Sequence, residues 1–332
     1  MTEPSPTART DASLSEFGLI RRYFTRPARD AVLGVGDDCA LLAPRAGQVL
    51  AISTDMLVSG RHFFPDVAPA HLGHKALAVN LSDLAAMGAE PRAFTLALAL
   101  PEARAEWLAP LAQGMLALAD AHHCELIGGD TTKGPLTLSI TVFGDVPASQ
   151  ALRRDTAQPG DDLWVSGTLG DARLALGVFW KEWSLDPAAF AAMRARMETP
   201  TPRVALGIAL RGLAHAALDV SDGLLGDLGH ILAASRLGAV LDVDTLPRSA
   251  VLAAQPPERQ LQCLLTGGDD YELCFTAPPA ARAAIAALSG PLDLRLTRVG
   301  HLVHGTGIRL QDRSGAPVAF TGHAFDHFAS ER

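Results

Sequence analysis

Short acidic segments that follow apolar runs are the feature of this 332-residue sequence that most restricts its fold. Four of the five segments follow a strand-like run, and the first follows a shorter one. Because α/β proteins place their site chemistry at strand ends, this pattern predicts a mixed α/β fold with carboxylates gathered at one site. The five segments are Gly36-Asp37-Asp38, Ser53-Thr54-Asp55, Gly128-Gly129-Asp130-Thr131-Thr132, Asp219-Val220-Ser221-Asp222-Gly223 and Gly267-Gly268-Asp269-Asp270.

A cluster of carboxylates is unfavourable unless divalent cations lie between them. The chain contains 25 Asp against 11 Glu, and the shorter Asp side chain suits Mg²⁺ in a tight turn. A competing interpretation is that Asp is simply a common turn and cap residue. We expect a site with several Mg²⁺ ions, and such a site implies a substrate that carries phosphate.

A sixth acid, Asp83, lies inside a predicted helix from Pro69 to Met87, with Gly88 as its C-cap. Residues three and four positions away are apolar or Asn80, so Asp83 is expected on the core-facing side. A buried carboxylate without a partner is costly. A metal ion is favoured as that partner, and a salt bridge or a capping role is the alternative.

Length and composition predict two domains with a sizeable interior, since 48% of the residues are hydrophobic. We expect a disordered start at 1–15, an N-terminal metal-binding domain at 16–150 and a C-terminal α/β domain at 151–328. The boundary is placed in a Gln-, Arg-, Asp-, Pro- and Gly-rich segment, 147–160, that is typical of a linker.

Net charge and composition exclude several classes of function. A charge of −8 argues against a nucleic-acid partner, and three lysines in the whole chain argue against a lysine-centred phosphate clamp. Gly167-x-x-Gly170 before a helix could bind phosphate, but a packing turn is the favoured interpretation.

The cysteines and the absence of a long apolar run predict a cytoplasmic protein. No apolar run of about 18 residues is present. The cysteines show no Cys-x-x-Cys spacing, so they are expected to be buried thiols in a reducing compartment. They are Cys39, Cys124, Cys263 and Cys274.

Local patterns predict several individual elements. In the strand 49–55, a period of two places Ser53 and Asp55 on one face and Thr54 on the other. Segment 125–127 leads into Gly128-Gly129-Asp130, which is expected to be a turn. Strand 216–220, helix 224–235 and strand 239–243 are expected to form a βαβ unit, and 294–318 a β-hairpin.

The ordered set of motifs resembles the thiamine-monophosphate kinase family, in the aminoimidazole ribonucleotide synthetase-like superfamily. The resemblance extends from about Phe17 to Phe328. It implies two α/β domains, with ATP binding and dimerisation assigned to 16–150, and a homodimer whose N-terminal sheets join across the interface. It also implies ATP-dependent phosphorylation of thiamine monophosphate to thiamine diphosphate. The motifs are the five acidic segments together with His62-Phe63, Lys75–Gly88 and Tyr271-Glu272-Leu273.

The resemblance also implies residue roles. The family's magnesium ligands correspond to Asp38, Ser53, Thr54, Asp55, Asp83, Asp130, Asp219 and Asp222. Its nucleotide contacts correspond to Gly129, Asp130, Arg154 and Ser221, and its thiamine phosphate contacts to His62, Asp269 and Phe325. Asp269 stands where relatives often have Glu, so the carboxylate is kept on a shorter side chain. Phe325 stands where Tyr or Trp is common, so the aromatic ring is kept without its polar group. No role is assigned to 181–202.

Three alternatives remain open at this stage. A sister enzyme of the same superfamily would share the Asp scaffold, although the reactive Cys and the N-terminal Lys of selenophosphate synthetases are not visible here. A two-metal phosphohydrolase would release phosphate without forming ADP. A non-catalytic carrier like the hydrogenase-maturation relatives would work through a C-terminal Cys tail, whereas this chain ends Ala329-Ser330-Glu331-Arg332.

Overall fold

The computed structural model describes residues 15–322, which form two α/β halves. The predicted disordered segment 1–15 lies outside the described residues except for Ser15, whose side chain caps the first helix by accepting from the Gly18 amide. That helix, α1 (Glu16–Leu19), continues as a π-helix, Ile20–Phe24. The other N-terminal elements are β1 (Gln48–Val58), α2 (Pro69–Ala86), β2 (Glu90–Leu100), α3 (Ala105–Ala121), β3 (Glu125–Lys133) and β4 (Thr137–Pro147).

The N-terminal sheet has the strand order β1-β4-β2-β3, so β1 and β3 are its two edges. β4 pairs antiparallel with both β1 and β2, and β2 pairs parallel with β3. The register connects Asp55 on β1 to Ile140 on β4, then to Leu96 on β2 and finally to Gly129 on β3. Three strand spacings separate the two ends of this row, about 14 Å across the sheet.

The sequence predicted a turn at Gly128-Gly129-Asp130, but this segment lies inside β3. The register between β2 and β3 shifts by one residue beside Ile127, which is a β-bulge. Gly129 has a φ of 148°, and a Cβ there would lie 1.9 Å from the Leu96 carbonyl oxygen. The glycine therefore allows the strand to continue past the bulge at close approach to β2.

One face of the N-terminal sheet is covered and the other is open. Helix α2 packs against α3, β1 and β4. The predicted alternation along β1 is confirmed, because Ser53 and Asp55 are half-buried while Thr54 is exposed. On the open face and edge of β1, large apolar side chains remain exposed; they are Val49, Leu50, Ile52 and Met56.

The C-terminal half contains a six-stranded sheet with the order β10-β7-β9-β5-β8-β6. Its strands are β5 (Asp162–Ser166), β6 (Ala216–Asp219), β7 (Gly238–Asp242), β8 (Leu273–Ala277), β9 (Leu296–Val303) and β10 (Gly307–Gln311). Its helices are α4 (Asp171–Phe179), α5 (Pro187–Glu198), α6 (Val204–Ala209), α7 (Leu224–Ser235), α8 (Ala250–Ala253), α9 (Pro257–Thr266) and α10 (Arg282–Leu292).

The structure corrects one sequence prediction about this sheet and adds to another. β9 and β10 do not form a hairpin, because β7 lies between them and pairs antiparallel with β9 and parallel with β10. β6 and β7 flank α7 as predicted, but they are not neighbours, since β8, β5 and β9 separate them. Strand order depends on long-range contacts that local patterns do not encode.

Helix α2 lies between the two halves. It packs against β6, α5 and α6 as well as against its own sheet, and one apolar core spans both halves, from Leu77 and Leu81 to Leu206 and Phe275. At the contact with α6, a Cβ on Gly207 would lie 2.0 Å from the Ala85 carbonyl oxygen, so a glycine is required. The proposed division at residue 150 stays a prediction. Within 15–322 no helix is long and apolar enough to cross a membrane.

Candidate functional site

Four predicted carboxylates lie close enough for their charges to interact where α2 contacts the C-terminal half. Asp55 extends from β1, Asp83 from α2, Asp219 from the end of β6, and Asp222 from the loop that follows β6. Their charges interact, since Asp83 and Asp222 both raise the pKa of Asp55, and Asp83 raises that of Asp219. These acids therefore influence one another electrostatically within one chain.

Hydrogen bonds from neighbouring polar groups hold three of these acids in place. Ser53 Oγ donates to Asp83 Oδ2 at 2.5 Å, and Ser82 Oγ donates to Asp219 Oδ2 at 2.7 Å. The Asp55 amide donates to Asn80 Oδ1 at 3.1 Å, while Asn80 donates back to the Ala76 carbonyl oxygen. Within the chain, the hydrogen-bond partner of Asp83 is thus a serine hydroxyl.

Burial raises the pKa of three of these carboxyl groups, and repulsion from neighbouring acids adds to the increase in two of them. Burial, followed by the charges of Asp83 and Asp222, raises the pKa of Asp55 to about 6. Burial and the charge of Asp83 raise the pKa of Asp219 to about 7. Burial also raises the pKa of Asp83, although the Ser53 hydrogen bond and the Arg154 charge oppose it. A site that disfavours its own negative charge is chemically suited to a cation.

The loop after β6 is shaped by Asp227 in the first turn of α7. Asp227 Oδ2 accepts from the backbone amides of Ser221, Asp222 and Gly223, each at 3.0 Å. Burial and the charge of Asp222 nevertheless raise the pKa of Asp227 to about 7. This carboxylate fixes the loop that presents Ser221 and Asp222 to the site.

Asp269 lies in a second loop, where groups from both halves contact its carboxylate. Lys75 Nζ, on α2, donates to Asp269 Oδ2 at 2.8 Å, and the Tyr271 hydroxyl donates to Oδ1 at 3.0 Å. Lys75 also donates to the His62 carbonyl oxygen at 3.3 Å. The His62 ring accepts from the Val58 amide through Nδ1 at 3.0 Å. His62 and Asp269 are two of the predicted contacts to thiamine phosphate. Lys75 joins them, because it donates to both residues.

The backbone of this second loop is strained. Asp269 and Tyr271 have φ values of 67° and 52°, in a region that costs a non-glycine residue roughly 1–2 kcal/mol. Two hydrogen bonds retain the conformation, from the Asp269 amide to the Ser221 carbonyl at 2.8 Å and from the Tyr271 amide to Val220 at 2.9 Å. The Asp269 loop and the Ser221 loop are thus one connected unit. Strain of this kind is commonly found at functional sites.

The remaining predicted ligands lie elsewhere in the single chain. Gly129 and Asp130 are on β3, and both are exposed. A small cavity beside them is also lined by Val35, which places the Gly36-Asp37-Asp38 segment near the same edge. Asp38 and Asp130 thus belong to the β3 edge, whereas Asp55 belongs to the β1 edge. The expectation that Asp55 and Asp130 share ions does not hold within one chain.

Three further predicted residues have distinct outcomes. The hydroxyls of Thr54 and Thr141 share a hydrogen bond at 2.8 Å on the open face, away from Asp83. Arg154 is exposed, and its positive charge acts to lower the pKa of Asp83. Phe325 lies outside the described residues. Within 15–322, no three His, Cys, Asp or Glu side chains converge closely enough to hold a metal ion.

Two other expectations are decided by the structure. The Gly170 amide donates to both carboxylate oxygens of Asp270, at 3.0 and 2.8 Å, so Gly167-x-x-Gly170 is a packing turn with its amide already used. Three cysteines are buried as expected, but Cys39 is exposed because it lies in the loop before β1.

Sequence reasoning assigned no role to Lys75, Asn80, Ser82, Asp227 or Tyr271, all of which contact the predicted site residues. A signal was present for three of them, because Lys75, Asn80 and Ser82 interrupt an otherwise apolar run on α2. Polar side chains on a buried helix face need partners. Lys75 and Ser82 find theirs in Asp269 and Asp219, which follow more than 130 residues later in the chain.

Comparison with known proteins shows the family to which the chain belongs. The AIR synthase related protein families match residues 36–146 with the N-terminal domain and 158–313 with the C-terminal domain. Thiamine-monophosphate kinase of Salmonella typhimurium is 46% identical over 323 residues, covering 95% of this chain and 98% of its own. The chain belongs to the thiamine-monophosphate kinase family.

Solved structures of family members are similar to this chain in fold. Thiamine-monophosphate kinase from Stenotrophomonas maltophilia K279a has a TM-score of 0.84 at 50% identity, covering 92% of this chain and 99% of its own. AaThiL complexed with AMPPCP and TMP has a TM-score of 0.74 at 29% identity, covering 86% and 89%. The two-domain α/β fold expected of this family is confirmed.

Proposed function

We propose that this protein transfers a phosphoryl group from ATP to thiamine monophosphate, yielding ADP and thiamine diphosphate as the last step of thiamine diphosphate biosynthesis. The observation that carries this function is the joining of the Asp55–Asp83–Asp219–Asp222 group to the Asp269 loop. The first is suited to charged phosphates through bound cations, and the second is suited to a cationic acceptor. The kinase relatives and the complex with AMPPCP and TMP support this assignment.

The chemistry of the acceptor explains why no catalytic base is needed. The second pKa of a phosphate monoester is near ~6, so the acceptor is largely ionised at neutral pH. The obstacle is repulsion between two anions, since two unit charges 4 Å apart repel by about 4 kcal/mol at an effective dielectric constant of 20. The protein must therefore bring the two phosphates together and align them.

The metal-binding role proposed here rests on the donor set. Carboxylate and hydroxyl oxygens are the ligands Mg²⁺ prefers, and the raised pKa values of Asp55 and Asp219 support a compensating cation in this part of the site. Bound Mg²⁺ would neutralise both phosphates and orient them. The residues assigned to hold several Mg²⁺ ions are Asp38, Ser53, Thr54, Asp55, Asp83, Asp130, Asp219 and Asp222.

ATP is assigned to Gly129, Asp130, Arg154 and Ser221. The Ser221 loop supports this role, because Asp227 accepts from the backbone amides of Ser221 and Asp222 and holds the loop in place. Arg154 is exposed near Asp83, where a guanidinium can meet a phosphate.

Thiamine monophosphate is assigned to His62, Asp269 and Phe325. The thiamine moiety is cationic and aromatic, so it favours a carboxylate and a ring face. The described chain supports the third contact, because a Cβ on Gly322 would lie 3.2 Å from Thr266 Cγ2, and Thr266 directly precedes the Gly267-Gly268-Asp269 loop. Phe325 is only three residues beyond Gly322.

We further propose that the site is completed in a homodimer, with edge β3 of one copy beside edge β1 of the other. One chain separates Asp55 from Asp130 by the width of its sheet. The exposed apolar side chains of β1, including Ile52 at 58% and Met56 at 55%, supply a surface for a second sheet. A two-fold axis would then form two equivalent sites, each with Asp55 from one copy and Asp130 from the other.

A direct assay tests the function. The purified protein is incubated with thiamine monophosphate, ATP and Mg²⁺, and thiamine diphosphate and ADP are separated by chromatography. Equal amounts of both products are expected, with neither formed by Asp55→Asn. Release of inorganic phosphate without thiamine diphosphate would instead indicate a phosphohydrolase.

A cytoplasmic location is also proposed, supported by four unpaired thiols among the described residues. Cell fractionation with an antibody against the protein would test it, and recovery in a membrane or exported fraction would contradict it.

A further inference from the structure

The Asp269 carboxylate is held by two side chains that no site prediction included. Lys75 from α2 occupies Oδ2, and Tyr271 occupies Oδ1. A carboxylate has about four lone-pair positions, so roughly one acceptor position remains on each oxygen. The contacts therefore orient Asp269 without using up its capacity to bind a ligand.

Lys75 is placed where a lysine would not be expected without such a role. It is 2% exposed, and the four residues that follow it on α2, 76–79, are apolar and buried. Burying an ammonium group is unfavourable unless it is paired and hydrogen-bonded. Its contacts are the Asp269 carboxylate and the His62 carbonyl oxygen, so it joins the two loops to which the acceptor was assigned.

The same helix face also contacts the metal-binding carboxylates. Lys75 and Ser82 are seven residues apart, which places them on one face about 10 Å apart along the helix axis. Lys75 contacts Asp269, and Ser82 contacts Asp219. A single rigid helix therefore sets the distance between the Asp269 loop and the carboxylates assigned to the phosphates.

We propose that Lys75 and Tyr271 are positioning residues that hold the Asp269 carboxylate for the cationic part of the acceptor. This inference rests on the proposed function, and it assigns acceptor affinity to an ion pair between the two halves of the chain. Neither residue touches the reacting atoms. Both act through Asp269.

The experiment is a double-mutant cycle on acceptor affinity. Lys75→Met should raise the KM for thiamine monophosphate by roughly 10-fold or more, since a charge-assisted hydrogen bond to the binding carboxylate is lost. The KM for ATP should stay within about two-fold. In an Asp269→Asn background, Lys75→Met should add little, because interacting residues are not additive.

Tyr271→Phe keeps the ring and removes only the hydroxyl, so it provides a second variant if Lys75→Met does not fold. It should raise the same KM by roughly 3-fold or more, again with no further effect in the Asp269→Asn background. Arg282→Met is the matched control, because it removes a cation from the buried Asp162 in the C-terminal half, away from α2. It should lower the melting temperature without changing either KM.

The outcomes are distinct from those of the function assay. If the wild-type protein forms no thiamine diphosphate, the proposed function fails. If the wild type is active but Lys75→Met and Tyr271→Phe only lower the melting temperature, or if their effects multiply fully with that of Asp269→Asn, the positioning role is overturned.

Discussion

The division of the predicted ligands between two sheet edges leads to a test by subunit complementation. Asp55 and Gly129 lie in one register row, separated by β4 and β2, or about 14 Å. Mg²⁺ binds its ligand oxygens at about 2.0–2.1 Å, so two carboxylates that share an ion have oxygens no more than about 4 Å apart. The sheet width exceeds this several-fold. In the proposed site, an ion shared by Asp55 and Asp130 would therefore join two copies of the chain.

The perturbation is a pair of single variants, Asp55→Asn and Asp130→Asn. Each replacement retains the side-chain size and removes one charge. Each homodimer should lose at least roughly 100-fold in turnover, the usual scale for one preorganised charge interaction. In a heterodimer of the two variants, one site carries both substitutions and the other carries neither. The heterodimer should therefore recover roughly half of the wild-type turnover.

The assay uses co-expression of the two variants with different affinity tags and purification over both resins. Formation of thiamine diphosphate is then measured at saturating ATP and Mg²⁺. The matched control is an Asp55→Asn/Asp83→Asn heterodimer. Both substitutions affect the group formed within one chain, so each site retains one of them and no activity should return. If the Asp55→Asn/Asp130→Asn heterodimer is no more active than this control, the shared site is refuted.

Further predictions concern single groups. Asp83→Asn should reduce kcat at least roughly 100-fold at saturating Mg²⁺. The control Asp293→Asn, in an exposed turn, should keep the wild-type kcat. If the two variants have similar kcat values, Asp83 does not belong to the site. ATP affinity measured by calorimetry should collapse in EDTA, and equal binding with and without metal would contradict the role of cations in this acidic protein. Because the pKa of Asp227 is raised to about 7 in the fold, the folded state retains a proton that the unfolded state loses near pH 4. The free energy of unfolding without metal should therefore fall as pH rises from 4 to 7. Asp227→Asn should make this pH dependence weaker in denaturation experiments, and an unchanged slope would contradict the role given to Asp227. Phe325→Ala should raise the KM for thiamine monophosphate several-fold without lowering the melting temperature. A lower melting temperature with an unchanged KM would instead make Phe325 an anchor of the C-terminus.

Local pattern predicted the elements well where one short-range signal dominated. The helix from Pro69 ends within a residue of its expected boundary, and the period of two along β1 places Thr54 opposite Ser53 and Asp55 as predicted. These features depend on neighbours a few residues apart, so the sequence carries them directly. The Gly128-Gly129 segment was misread for the same reason. Glycines signal turns locally, while here they allow a bulge beside β2.

The residue types of the site were determined by the sequence alone, because an excess of Asp in ordered motifs already predicts a cation-dependent phosphate chemistry. Tertiary structure decided which of those residues meet. Strand order places Asp55 and Asp130 at opposite edges and inserts β7 between β9 and β10. Packing of α2 against the C-terminal half brings Lys75 to Asp269, 194 residues away along the chain. Such contacts arise from burial of apolar surface between distant segments, and no local spacing in a sequence specifies them.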